Sequence, residues 1–317
     1  MKKNPGPHYI VWLHGGLGNQ LFQWAMATAM AQRHGGHAWG DRSYLAQDTL
    51  RKYALDQFTI DFPEPPEHLV EKIIGRPRYM DTPGDRRHPL IRKFYNFRQS
   101  LLPWQLRDRV LEQDMRYQSR IAKRKKSLYL DGFWQNQRYF SDCIPHLRRQ
   151  LILRERPPES WKKWWMQMAE WPAIGVHIRR GDYITNDYVA NRIGPCDEDY
   201  YRRGVAHHRA TDPTRKVFLF TDDPAWAQEK FSRELRNDNW HLVSGTGTWN
   251  EAAEMTLLSY CSFFVLSNSS FSWWAAWLSG TVGENIIVPD PWYNDPAMRH
   301  IHPAPITWLR QKKSAHL

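Results

Sequence analysis

Two adjacent arginines, Arg179 and Arg180, close an apolar run and are followed at once by Gly181 and Asp182, in the stretch IGVHIRRGDY. Guanidinium groups are planar, permanently charged and forked, so a pair of them at a strand end can clamp a diphosphate or a leaving group that is gaining charge. The plainer alternative is that both arginines pair with surface carboxylates and the aspartate ends a turn. Three more loops in the second half follow apolar strands and offer polar groups: Thr221-Asp222-Asp223, Ser244-Gly245-Thr246-Gly247 and Asn268-Ser269-Ser270. The last of these runs from a strand into a helix and can present hydroxyls and backbone donors to a phosphate; read plainly, it is a serine cap.

The acidic residues offer metal chemistry as an alternative. Asp222 and Asp223 follow the run VFLF, and Asp197-Glu198-Asp199 has the form of a D-x-D motif that could hold a metal nucleotide. The triplet opens a helix, however, where carboxylates are favoured by the helix dipole without any ion. The double aspartate reads better as a set of strand-end acceptors beside the arginines. With Arg179, Arg180 and helix N-terminal donors present, a diphosphate can be neutralised unaided, so no metal and no cofactor is expected. His300 and His302 leave a weaker metal alternative.

Near the start, Gly15-Gly16-Leu17-Gly18-Asn19-Gln20 joins an apolar run to an Ala- and Met-rich stretch of helical spacing. The order strand, glycine turn, helix suggests a dinucleotide fingerprint, but Leu21 stands where the third glycine should fall, so that motif fails. What remains is a glycine-rich turn, with Gly16, Gly18, Asn19 and Gln20, feeding a helix N-terminus that can approach an anion closely, or a tight turn with a cap and nothing more. Asn19 is the expected N-cap and Gly35 the expected helix stop.

The elements that must position these groups follow from periodicity. From Ala173 onward strands and helices alternate: a strand to Arg179, a helix from Asp199 to Arg209, strands at Lys216–Thr221 and Trp240–Val243, a helix at Glu251–Tyr260, a strand at Phe263–Leu266, a helix from Ser270 and a strand at Asn285–Val288. This pattern predicts a parallel sheet with helices on both faces and all four loops at one edge. The first half has strands at Tyr9–His14, His37–Asp41 and Ser127–Gln135. Residues 43–126 lack periodicity and read as loops and short helices. The aromatic and basic stretch WKKWWMQMAEW reads as a helix packing two lobes together, with a membrane-surface helix as the sharper alternative. The expected division is residues 1–165, residues 166–290 and a tail at 291–317 that packs back on the lobes.

Composition bounds the rest. The 317 residues can fill two α/β lobes. A formal net charge of +11 suits nucleic acid, anionic lipid or acidic small molecules without choosing among them. The three cysteines are widely spaced, so neither a disulfide framework nor a zinc ribbon is indicated. The apolar stretch at the start is too short for a signal or a spanning segment, and a soluble cytoplasmic protein is expected. The seventeen tryptophans suggest carbohydrate mildly.

In order along the chain, the motifs GGLGNQLFQ (15–23), HIRRGDY (177–183), FTDD (220–223), SNSSFSWW (267–274) and PDPWYND (289–295) closely resemble the α-1,2-fucosyltransferases of glycosyltransferase family 11. The resemblance spans Tyr9 to Asp295 and is loose over residues 43–126. It implies a GT-B fold of two facing Rossmann-like lobes with parallel sheets, and metal-independent transfer of L-fucose, with inversion, from GDP-β-L-fucose to a galactose 2-hydroxyl. Carried over by motif, Arg179 is the principal diphosphate ligand with Arg180 beside it. Asp222, Asn268, Ser269, Ser270 and Phe271 line the nucleotide end. His177 and Asp182 shape the site, and Asp182 is the nearest carboxylate candidate for a general base. Glu254 stands where related enzymes place an aspartate for guanine, one methylene longer. The resemblance makes residues 1–165 the acceptor-side lobe and 166–290 the GDP-sugar-binding lobe; the GGLGNQ turn faces the donor across the cleft, and Asn19 orients the reacting groups.

The expected partners are GDP-fucose and a galactose-terminated oligosaccharide or lipid-linked glycan, with peripheral contact at the inner face of a membrane. A GDP-fucose-dependent transferase of different linkage is the alternative enzyme. A basic, Trp-rich protein binding single-stranded nucleic acid is the non-enzyme alternative. It is disfavoured because the arginines pair with ordered strand-end loops while the other basic residues are scattered.

Overall fold

The computed structural model describes residues 6–74, 108–237 and 239–313. The chain divides into two units, Met1–Ile152 and Leu153–Leu317. Residues 75–107, within the stretch read as loops and short helices, lie outside the described residues.

In unit 1 the elements are β1 (His8–Trp12), α1 (Leu17–His34), β2 (His37–Asp41), α2 (Glu67–Ile74), β3 (Arg109–Leu111), α3 (Ser119–Ala122), β4 (Leu128–Asp131) and α4 (Ile144–Gln150). The sheet order is β2-β1-β4-β3, with every pairing parallel. Helix α1 is buried along most of its length, from Leu17 to Ala31, which is why its apolar residues do not keep to one stripe. It ends at Gly35, whose φ of 64° is the left-handed conformation that glycine takes most cheaply. Its start differs from the expectation. The N-cap is Gly16, and Asn19 lies inside the first turn, its side chain turned to Gln135 instead of to the helix amides.

In unit 2 the elements are α5 (Glu159–Glu170), β5 (Ile174–Ile178), α6 (Gly181–Thr185), α7 (Asp187–Arg192), α8 (Glu198–Arg209), β6 (Val217–Thr221), α9 (Pro224–Lys230), β7 (Trp240–Leu242), α10 (Glu251–Leu258), β8 (Phe263–Leu266), α11 (Ser270–Ser279), β9 (Ile286–Asp290) and β10 (Leu309–Lys312). They form one parallel sheet in the order β10-β9-β8-β5-β6-β7. All five residues of β5 are buried. Ile174, Val176 and Ile178 pack with Tyr200, Tyr201 and Val205 of α8 into the core. Gly175 is required in β5, because a Cβ there would lie 2.6 Å from Leu258 Cδ1 of α10.

Two boundaries differ from the sequence reading. The division falls at 152/153 and not at 165/166, because α5 belongs to unit 2: Trp161 Nε1 donates to Ala253 O of α10 at 2.8 Å. Trp165, Met166 and Trp171 of the α5 region are exposed. The second unit also runs past residue 290: Leu309–Lys312, in the stretch expected to pack back as a tail, pairs with β9 as the edge strand of its sheet. Among the described residues, no helix is long and apolar enough to cross a membrane.

Candidate functional site

The strand order of unit 2 reverses at β5, which is flanked by β6 on one side and β8 on the other. Open α/β sheets bind ligands beyond the carboxyl ends of the strands at such a reversal. Arg179 and Arg180 leave β5 there, Asp222 and Asp223 leave β6, and Ser267 to Ser270 leave β8.

The three loops are tied together. Arg179 Nη1 lies 2.9 Å from Asp222 Oδ2, and its Nη2 lies 2.5 Å from Asp182 Oδ1. Burial disfavours the Arg179 charge, but Asp222 and Asp182 more than offset this and push the guanidinium above its ordinary value. Arg180 donates its backbone N–H to Asp222 Oδ1 at 2.8 Å and its Nε to Asp223 Oδ2 at 3.1 Å, and its guanidinium lies 4.1 Å from the Trp226 ring centroid. Asp223 also caps α9 by accepting from Trp226 N. Gly181 packs on this network, since a Cβ there would meet Asp222 Oδ2 at 2.5 Å.

On the β8 side, His177 Nδ1 is 2.8 Å from Ser267 Oγ and its ring stacks on Phe271 at 5.2 Å. Burial, with Arg179 nearby, pushes the imidazole down to about 3, so it is neutral at physiological pH. Tyr183 OH donates to Asn268 O at 2.9 Å, closing the β5 loop onto the β8 loop. Ser269 is the N-cap of α11 and accepts from Phe271 N at 3.3 Å, and Ser270 opens the helix. Together these contacts place a forked cation and a capped helix N-terminus at one crevice, an arrangement that can receive a diphosphate.

Several residues expected at the donor take other parts. Asn268 is buried, and its amide donates to Ile193 O at 3.1 Å, Gly194 O at 2.9 Å and Trp292 O at 2.9 Å. Its side chain therefore clasps the chain around Gly194 and Trp292 and does not line the nucleotide end. Asp222 and Asp182 are engaged by Arg179, so they aim the guanidinium. Glu254 accepts from Ser244 Oγ, which itself accepts from Thr221 N at 2.8 Å, placing the carboxyl beside the β6 and β7 loops. Burial pushes that carboxyl upward. Asn268→Ala would leave Gly194 O and Trp292 O without this donor, at about 1–3 kcal/mol for each one left unsatisfied, while Ile193 O keeps Lys313 Nζ. The expected result is a clear fall in the urea midpoint, with Asn268→Asp no better because a carboxylate cannot donate; an unchanged midpoint for both would refute the clasp.

The metal alternatives are otherwise employed. Asp197 caps α8, accepting from Tyr200 N at 2.7 Å. His302 Nε2 is 3.1 Å from Pro289 O, and burial pushes its imidazole down to about 4. Among the described residues, no three His, Cys, Asp or Glu side chains converge. Cys143, Cys196 and Cys261 are buried free thiols.

In unit 1 the glycine turn is held from below. Gln20 Nε2 donates to Gly15 O at 2.9 Å and Lys52 O at 2.8 Å, and its Oε1 accepts from Ala54 N at 3.0 Å. Gln20 is fully buried, so it fixes the turn and does not meet a ligand. Gly15 has φ 79° and packs against the Asn19 amide, where a Cβ would come within 2.4 Å of Nδ2. Asn19 Oδ1 accepts from Gln135 Nε2 at 2.8 Å. The sequence reading missed Gln135, Glu112, Asp131 and His14, which gather at this sheet edge; the run DGFWQ at 131–135, just after a strand, was the available signal.

The profile of glycosyl transferase family 11 matches residues 102–309. Alpha-1,2-colitosyltransferase of Escherichia coli is 27% identical over 307 residues, covering 96% of this chain and 99% of that protein. Galactoside alpha-(1,2)-fucosyltransferase 1 of Rattus norvegicus is 23% identical over 284 residues, covering 84% of this chain and 62% of that protein. Among solved structures, fucosyltransferase NodZ from Bradyrhizobium matches with a TM-score of 0.50 at 16% identity, covering 87% of this chain and 94% of that one. That likeness bears on the fold alone: α/β, with parallel sheets, of the GT-B type.

Proposed function

The chain belongs to glycosyl transferase family 11, and from that premise we propose that it moves L-fucose from GDP-β-L-fucose to the 2-hydroxyl of a terminal galactose, with inversion and without a metal ion. The observation that carries the donor side is Arg179 at the strand-order reversal, aimed by Asp182 and Asp222. In this reading the bond from the sugar C1 to the β-phosphate oxygen breaks, and Arg179 and the α11 N-terminus take up the charge on the departing GDP. The acceptor oxygen bonds to C1 on the opposite face, and one proton is released to solution. Preorganised donors aimed at the developing charge supply most of the acceleration. Glu254 reads the guanine donors by exchanging its hydrogen bond to the Trp249 side chain for one to the base, and Arg180 supports the diphosphate through its fixed position on Trp226.

The relatives' names support the 2-linkage and a galactoside acceptor, while the Escherichia coli relative makes colitose the competing sugar. The acceptor is a galactose-terminated oligosaccharide or lipid-linked glycan.

Calorimetry with GDP, UDP and CMP in the presence of EDTA tests the donor side. GDP is expected to bind and the pyrimidine nucleotides to bind at least about tenfold more weakly, a difference of about 1.4 kcal/mol. Equal affinity for UDP, or loss of GDP binding on adding EDTA, would overturn the assignment. Linkage analysis of products from GDP-fucose and GDP-colitose then fixes sugar and bond.

A further inference from the structure

The loop between β7 and α10 is fixed at both ends. Thr246 Oγ1 donates to Val243 O at 2.6 Å and accepts from Trp164 Nε1 of α5 at 2.9 Å. Asn250 is the N-cap of α10, its side chain accepting from Ala253 N at 2.9 Å. Between these two points stand Gly247, Thr248 and Trp249. Trp249 is half-buried, and its ring fills the space that a side chain at 247 would take: a Cβ on Gly247 would lie 2.0 Å from Trp249 Cζ3. The backbone at Gly247 is not left-handed, so the missing side chain makes room for the ring and for nothing else.

The Trp249 indole N–H is engaged at Glu254. That carboxyl accepts from the Trp249 side chain as well as from Ser244 Oγ, and Asp222, which holds Arg179, is one of its charged neighbours. Indole is a planar ring with one N–H donor at its edge. Guanine offers the same kind of edge, with N1–H and N2–H as donors. Trp249 therefore satisfies Glu254 in the manner of a base, and a base can reach the carboxyl only after the ring has left. A buried acceptor stripped of its donor is costly. A ligand that returns the hydrogen bond can displace the ring, whereas one that cannot leaves the acceptor unmade.

We propose that Trp249 gates the base end of the donor site: in the free protein its ring stands in for guanine on Glu254, and the span from Gly247 carries it away when a guanine nucleotide enters. The gate rests on the proposed function, which makes Glu254 the acceptor for guanine. A site that is closed for part of the time binds its ligand more weakly than an open one, by the fraction of open molecules.

GDP calorimetry on the full chain and on Trp249→Phe and Gly247→Ala tests it. Phenylalanine keeps a ring but gives up the N–H, and the alanine methyl at 247 denies the indole its closed position. Each variant is expected to bind GDP about tenfold more tightly than the wild type, near the least that a hydrogen bond to a charged group contributes. Damage to the fold cannot imitate a gain in affinity. GDP binding unchanged or weaker in Trp249→Phe would overturn the proposal, and should that variant not fold, the same result in Gly247→Ala overturns it. A wild type that fails to bind GDP, or that binds UDP equally well, removes the guanine reading and the gate with it. A wild type selective for GDP beside variants that bind no tighter sinks the gate alone.

Discussion

Arg179→Ala is expected to lower turnover by about a hundred- to a thousandfold, the usual cost of losing one preorganised donor to a developing oxyanion. The effect should lie in the large half of that range, because Asp182 and Asp222 lose their common partner along with the diphosphate. What the variant leaves at the reversal of the sheet is two carboxylates facing the place where an anion must sit, so a cation is lost and a repulsion gained. Arg179→Lys separates the two contributions. Lysine restores the charge but cannot reach Asp182, Asp222 and a phosphate oxygen with one ammonium, so it should recover part of the turnover only. Steady-state rates and GDP calorimetry on both variants check this. Near-normal turnover in Arg179→Ala would remove the arginine from the centre of the mechanism.

The second large effect concerns pH. Burial lowers His177 to about 3, and His208 and His302 to about 4, all in unit 2; in unit 1 it lowers His14 to about 4. Each folded value lies below the ordinary 6.5, so between roughly pH 4 and 6.5 the unfolded chain binds more protons than the native one. Stability is therefore complete above about 6.5 and is lost as the pH falls, by about 1.4 kcal/mol per pH unit for each group once well below 6.5. Three such groups in unit 2 amount to about 4 kcal/mol per unit, enough to exhaust an ordinary domain's 5–15 kcal/mol within a few units. Each unit also holds a carboxyl of opposite sign. In unit 1 burial raises Glu112 to about 7, so between 4.5 and 7 the native state holds the extra proton and acidification stabilises it, offsetting His14. In unit 2 burial likewise raises Glu254, which offsets part of the slope of one of its three histidines and leaves the other two. Urea unfolding at pH 7.5, 6.5, 5.5 and 4.5 should show the tryptophans of unit 2 released first and at falling midpoints. A unit 2 midpoint constant from pH 7 to 5 would sink this account. His208→Gln, which can keep a donor near Phe264 O, should reduce the slope by one proton.

The central strands were legible because they are buried on both faces and must be apolar throughout: β5, β6 and β8 fall within a residue of the positions read from the sequence. The edges were not. β3 and β10 are short and partly exposed, and nothing in RVL or LRQK distinguishes them from loop until a partner strand is known. Arg179, Arg180 and the two aspartates could be read as a group because guanidinium and carboxylate chemistry announces itself after an apolar run. Asn268 could not be placed in the same way. Its three acceptors come from residues 193, 194 and 292, and whether an amide meets a ligand or the backbone is decided by chain that lies far off in sequence. Glu112 was invisible for the same reason, since its role is defined by the amides of Phe133 and Trp134.

The edge strand β10 also bears on how the protein is made. Residues 309–312 supply the neighbour of β9, and Lys313 next to them reaches Ile193 O and Asn294 Oδ1, the same turn that Asn268 grips. A chain made only as far as residue 308 therefore contains every loop of the unit 2 site, yet holds a sheet with an unpaired margin, the kind of surface on which nascent chains stick to one another. Until residues 309–312 have been made and have paired with β9, that margin stays open, and covering it is the part a chaperone would play.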